Sequence, residues 1–112
     1  MFTDAAKNTM LDALTIDGAR LHSGDPGASG TANQVGDLES ATFAAASGGE
    51  RALSSTVAFT GLTGSQTVTY FSAWNGATFV CSAAITGGDT TANATGEYSL
   101  TTQTKLALTD PA

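Results

Sequence analysis

At 112 residues the chain is sized for one domain, and its four basic against ten acidic residues leave a net charge of −6. The scattered Lys7, Arg20, Arg51 and Lys105 cannot form the basic stripe that phosphate backbones need, and a single cysteine excludes an intrachain disulfide or a cysteine-based zinc cluster. Twenty Ala, nineteen Thr and thirteen Gly against two Pro favour short strands and tight turns, and the 12% of charged residues is about half the usual share.

The first fifteen residues predict the one helix. At 100° per residue Phe2, Ala6, Met10, Ala13 and Leu14 share a face opposite Asp4, Asn8 and Asp12, with Thr3 as the N-cap. Three turns are marginal alone, so the helix is expected to dock on its own sheet or on a neighbouring subunit. Ala19–Ser23 reads as a strand that enters the glycine-rich loop Gly24–Gly30, where Asp25-Pro26 sets a turn. Ala41–Ala46 and Ala52–Phe59 follow as strands joined through Ser47-Gly48-Gly49.

The strongest local signal is Asn75-Gly76 between Gln66–Trp74 and Ala77–Ile85, which predicts a hairpin closed by a type I′ turn. Pairing outward from that turn sets Trp74 against Ala77 and Phe71 against Val80. Tyr70, Trp74, Phe79, Cys81 and Ile85 then share one face and Phe71 and Val80 the other, so layers are expected on both sides. Thr86–Thr95 reads as a polar turn region, and Glu97–Thr101 and Thr104–Thr109 as the last strands. The fold class expected is mainly β, a small antiparallel sandwich or barrel-like domain over residues 19–109 with one N-terminal helix over 1–15.

No catalytic constellation, cofactor motif or metal set is legible. His22 is the only histidine, and its neighbour Ser23 points to the opposite face of a strand, so His22 reads as an ordinary strand residue and Cys81 as a small buried hydrophobe. Asp25, Asp37, Glu39 and Asp89 lack the alternating spacing of a calcium loop and read as solvated acids. Asn93-Ala94-Thr95 matches a glycosylation sequon, which matters only in a secreted chain. No apolar run approaches the ~20 residues that cross a bilayer, and neither a membrane nor a nucleic-acid partner is expected.

The linear arrangement resembles a family of small tailed-bacteriophage virion proteins. The likeness is carried by Leu11-Asp12-Ala13-Leu14, Ala19-Arg20-Leu21-His22-Ser23-Gly24-Asp25-Pro26-Gly27, Ala41-Thr42-Phe43-Ala44-Ala45-Ala46-Ser47-Gly48-Gly49, Val68–Trp74 and Ala77–Ile85, and spans most of the chain. The resemblance implies a virion structural component assembled in the bacterial host cytoplasm. Members bear head decoration, minor tail or tail-fibre-like labels. The absence of a shaft after Leu108 favours a head decoration or minor capsid protein, with the major capsid protein and copies of itself, as a dimer or trimer, for partners. A minor tail role touching a host receptor or glycan is the alternative. The candidate contact residues are Phe2, Met10 and Leu14 on the helix, Asp25 and Pro26 in the loop, and Tyr70, Trp74 and Phe79 on the hairpin, although Trp74 reads more readily as core because few other large residues are there to fill one.

Overall fold

The computed structural model describes residues 2–85 and 89–107. In chain order the elements are helix α1 (Asp4–Asp12) and strands β1 (Gly18–His22), β2 (Gln34–Ser40), β3 (Glu50–Ala52), β4 (Val57–Phe59), β5 (Tyr70–Asn75), β6 (Thr78–Ala84), β7 (Tyr98–Leu100) and β8 (Lys105–Ala107). Every pairing is antiparallel. One four-stranded sheet runs β2-β1-β5-β6, and β3-β8 and β4-β7 form two short ribbons. The class is mainly β with one N-terminal helix, as the composition predicts.

The core lies on one face of the large sheet. Leu21 and Phe71 meet Phe43, Leu53, Val57 and Phe59 from the chain between β2 and β5, with Leu100, Leu106 and Leu11 closing the sides. Phe43 stacks on Phe71 at 6.5 Å between ring centroids. In β4 and β7 the alternation buries Val57 and Phe59 and Tyr98 and Leu100 while Ala58 and Ser99 face solvent, the period-2 signature of half-covered ribbons.

α1 is shorter than the fifteen residues predicted. Thr3 Oγ1 accepts from the Ala6 amide at 3.1 Å, and Ala13 is the C-cap. The face it docks is not the predicted apolar one. Leu11 is its one buried residue, whereas Phe2 and Met10 are 46% and 37% exposed. Polar groups hold it instead. Asn8 Oδ1 accepts from the Gly49 amide and Asp12 Oδ1 from the Ala46 amide, at 2.9 and 2.7 Å. Arg51 Nη1 donates to the Leu11 and Leu14 carbonyls at 3.0 and 2.8 Å, and its Nε donates to Ala44 O at 3.0 Å. A cation there meets the last carbonyls and negative end of the helix dipole. The helix therefore docks on its own domain.

Three other expectations are corrected. β2 carries no signal in the sequence, because an edge strand that is exposed along almost all its length shows no apolar alternation. Ala41–Ala46 is not a continuous strand. It touches the following segment through the Phe43–Leu53 and Ser47–Glu50 bridges, so the Gly48-Gly49 turn is real but its ladder is broken. The main hairpin has its loop at Gly76-Ala77, with Asn75 paired to Thr78 and Trp74 to Phe79. Gly76 has φ +61° and stands first in the two-residue loop, the pattern of a type II′ turn rather than I′, and its amide donates to Asp17 Oδ1 at 2.9 Å.

Beyond that turn the register slips between Ala73 and Trp74, so that Ala73 pairs with Cys81 and Val80 is the extra residue. A bulge of this kind re-aims side chains. Cys81 and Ile85 consequently pack on the core with Phe71, whereas Phe79 stays with Trp74 on the opposite face. Thr86 and the end of the Thr104–Thr109 strand, including Leu108, lie outside the described residues.

Candidate functional site

The second face of the large sheet is polar where the first is apolar. Arg20 pairs across to Ser72, His22 to Tyr70 and Gly18 to Trp74, so Arg20, His22, Ser72 and Trp74 project together, with Phe79 alongside. The loop between β1 and β2 folds over them. Pro26 and Gly30 are buried in it, and Gly30, at φ +74°, lies so close to the Phe79 ring that a Cβ there would overlap it. This approach and the left-handed backbone both demand glycine.

Under that cover His22 and Ser72 are both 0% exposed and hydrogen-bonded at 2.7 Å between Nε2 and Oγ. His22 Nδ1 lies 2.8 Å from the Ala32 carbonyl, which can only accept, so Nδ1 carries the proton. In the neutral ring Nε2 then accepts from the Ser72 hydroxyl, whose oxygen accepts from Trp74 Nε1 at 2.7 Å. The chain runs from indole to hydroxyl to imidazole to loop carbonyl, and each of these groups is satisfied. Burial holds the His22 imidazole below its ordinary pKa, the Ala32 bond opposing and the Arg20 charge adding to the shift.

A serine in hydrogen-bond contact with a histidine has the geometry of a nucleophile and its base. Here the orienting group is a carbonyl rather than a carboxylate, the serine oxygen is already engaged by Trp74, and neither side chain reaches solvent. The arrangement locks the loop onto the sheet. Arg20 completes it, donating from Nη1 to Gln34 Oε1 at 2.8 Å with its guanidinium 5.3 Å from the Trp74 ring centre. The partner of His22 is Ser72, fifty positions away, and not the adjacent Ser23.

The surface holds the other candidates. Phe2 and Met10 stand exposed at α1, and Leu38 on β2 joins them as a large exposed apolar residue. Leu14 instead packs on the domain's own core, and Pro26 and Trp74 are buried, so these three do not present a contact surface on the single chain. Asp25 is exposed, its Oδ1 accepting from the Gly27 amide at 2.9 Å, and Tyr70 and Phe79 are half-buried.

An open cleft of about 610 Å³ lies between Asp89, Asn93, Glu97, Tyr98 and Thr101. Asn93 organises its rim, accepting at Oδ1 from the Thr95 and Glu97 amides at 3.0 and 2.9 Å and donating from Nδ2 to Glu97 at 3.2 Å. Hydrogen bonds from Asn93 and then Thr95 lower the Glu97 pKa, whereas burial, with the Asp89 charge, raises that of Tyr98. Burial likewise pushes the Cys81 thiol up against the opposing charge of Arg51. Among the described residues no three His, Cys, Asp or Glu side chains gather as a metal set, and no helix is long and apolar enough to cross a membrane. Compared with protein-family models, curated proteins and solved structures, the chain finds no match.

Proposed function

We propose that this protein is a structural component of a tailed-bacteriophage virion, a head decoration or minor capsid protein that lies on the outside of the major capsid shell and stabilises it. The observation that carries this reading is the character of the surface. α1 is fastened by Arg51, Asn8 and Asp12, yet Met10 on it and Phe2 just before it are exposed, and β2 adds Leu38. Exposed apolar groups on a chain in which only 12% of residues are charged are suited to burial against another polypeptide. The resemblance of the sequence to small tailed-bacteriophage virion proteins is the other support for this reading.

On this reading the partners are the major capsid protein and further copies of the chain, assembled in the bacterial cytoplasm, with neither nucleic acid nor membrane engaged. The His22–Ser72 pair serves the fold and no reaction is assigned to it. Contacts that bury even the ~1,200 Å² typical of small specific interfaces stabilise a shell when repeated over its lattice. The polar cleft around Asn93 and Glu97 favours a second reading, a minor tail protein touching a host glycan.

Copy number separates the two. Quantitative densitometry of purified virions against the major capsid protein is expected to give hundreds of copies per particle, and a handful would assign the chain to the tail. Replacing Phe2 and Met10 together by Asp should leave the isolated domain folded and abolish its binding to undecorated particles. Normal decoration by that variant would remove α1 from the interface.

A further inference from the structure

The two edges of the four-stranded sheet are unlike. β2, at one edge, carries Asp37 and Glu39, has Gly36 at φ +73°, and slips register against β1 between Ala19 and Leu21. Ionised side chains on an edge are a device by which sheets prevent another strand from adding to them, and since β6 carries its own bulge at Val80, charge and not the bulge separates the two edges. β6, at the other edge, reads Thr-Phe-Val-Cys-Ser-Ala-Ala, seven residues with no charge and no proline.

Among the described residues the outer side of β6 takes no strand partner. The Ile85 amide donates to Thr69 O at 2.9 Å, and with Phe71 paired to Ala83 and Ala73 to Cys81 the alternation places those residues' backbone bonds toward β5. The amides and carbonyls of Ser82 and Ala84 therefore point away from β5. β8 runs near β6 without pairing to it, and no strand among the described residues takes up those groups.

We infer that β6 is the edge through which two copies of this chain join, pairing antiparallel about a two-fold axis to make one continuous eight-stranded sheet. A strand that pairs with its own copy about such an axis must run antiparallel, and the same patch serves both partners. Charge selects this edge over the other. Each copy carries −6, and joining through β2 would oppose Asp37 and Glu39 with their own duplicates, whereas β6 brings no ionised side chain to the seam. The geometry also sets the stoichiometry, because the joined sheet ends at both sides in the guarded β2 and growth stops at two. A seam of at most seven residues, interrupted by the Val80 bulge, is small for a specific interface, so association depends on concentration.

The dimer deepens the proposed function by naming how copies cluster, yet it is a property of the purified chain, so its failure leaves the virion copy-number measurement standing, and the reverse. Sedimentation equilibrium of the full chain from micromolar to near-millimolar concentration is expected to show the mass rising to twice that of the monomer and no further. Ala84→Lys, at an exposed position, should weaken association about tenfold or more by setting like charges at the seam, with an unchanged circular dichroism spectrum. Ser82→Pro, which removes one outward amide, should do the same, and if it fails to fold Ala84→Lys decides alone. Asp37→Ala should leave association as it was. Hydrogen exchange at Ser82 and Ala84 should slow with rising concentration while exchange along β2 does not. A monomer at every concentration, a trimer, a dimer indifferent to Ala84→Lys, or protection at β2 in place of β6 would each overturn the inference.

Discussion

The two faces of the central sheet are buried in different ways. On the core face Leu21 and Phe71 sit among aliphatic and aromatic side chains, and what holds them is removal of apolar surface from water, which is large and non-directional. On the lid face His22, Ser72 and Trp74 are buried under a loop by a directed series of hydrogen bonds, which add little net energy yet are costly to leave incomplete. The core face fixes how stable the domain is, and the lid face fixes which single conformation the Gly24–Gly30 loop adopts.

That contrast can be broken from the core side first. Phe71→Ala, at a fully buried position, should cost about 3–5 kcal/mol, a large part of the 5–15 kcal/mol typical of a domain, read as a shift in the urea midpoint. Ser72→Ala is a far smaller deletion, yet it leaves the Trp74 indole and His22 Nε2 without partners and should cost about 2–4 kcal/mol. The sharper test pairs it with His22→Phe, since the double variant should be less destabilised than the sum of the two single changes if the groups act as one network. Strict additivity would mean that the hydrogen bonds are incidental to the packing.

Gly30→Ala should cost about 1–3 kcal/mol, because the new methyl meets the Phe79 ring in a backbone conformation alanine resists. Its signature is local, with faster hydrogen exchange in the loop and little change in β5. The smallest effect is titration. The folded His22 holds its proton less tightly than the unfolded chain, whose value is near 6.5, so acid favours unfolding. Stability is fully present above pH ~6.5 and declines below it, by at most ~1.4 kcal/mol per pH unit for one group. Thermal melts between pH 7.5 and 5 should show this slope in the wild type and lose it in His22→Gln.

The sequence makes the core face legible and leaves the lid face dark. Apolar alternation marks Val57 and Phe59 and Tyr98 and Leu100, and the glycine at position 76 marks the hairpin, because such signals are local. What fixes the lid is the pairing of His22 with Tyr70 and of Arg20 with Ser72, between strands about fifty residues apart, and neither segment signals the other. One hint was present. Ser72 is a lone polar residue between Phe71 and Ala73 in a strand expected to be covered on both sides, and such a residue needs a partner. The Val80 bulge was equally hidden, and it alone reassigns Cys81 from the face of Trp74 to the core. On the helix, amphipathic periodicity named Phe2 and Met10 as a coherent stripe but not its direction, which the hydrogen bonds of Asn8, Asp12 and Arg51 decide.

Arg51 has a consequence for how the polypeptide emerges from the ribosome. The carbonyls it grips at Leu11 and Leu14 are made 40 and 37 positions earlier, so during synthesis the first turns of the chain wait for their fastener. At about 5–20 residues per second that interval is roughly 2–8 s, long against the submicrosecond fraying of a short isolated helix. Leu11 waits longer still, because the cluster that shelters it includes Leu100 and Leu106, which are made roughly ninety positions later.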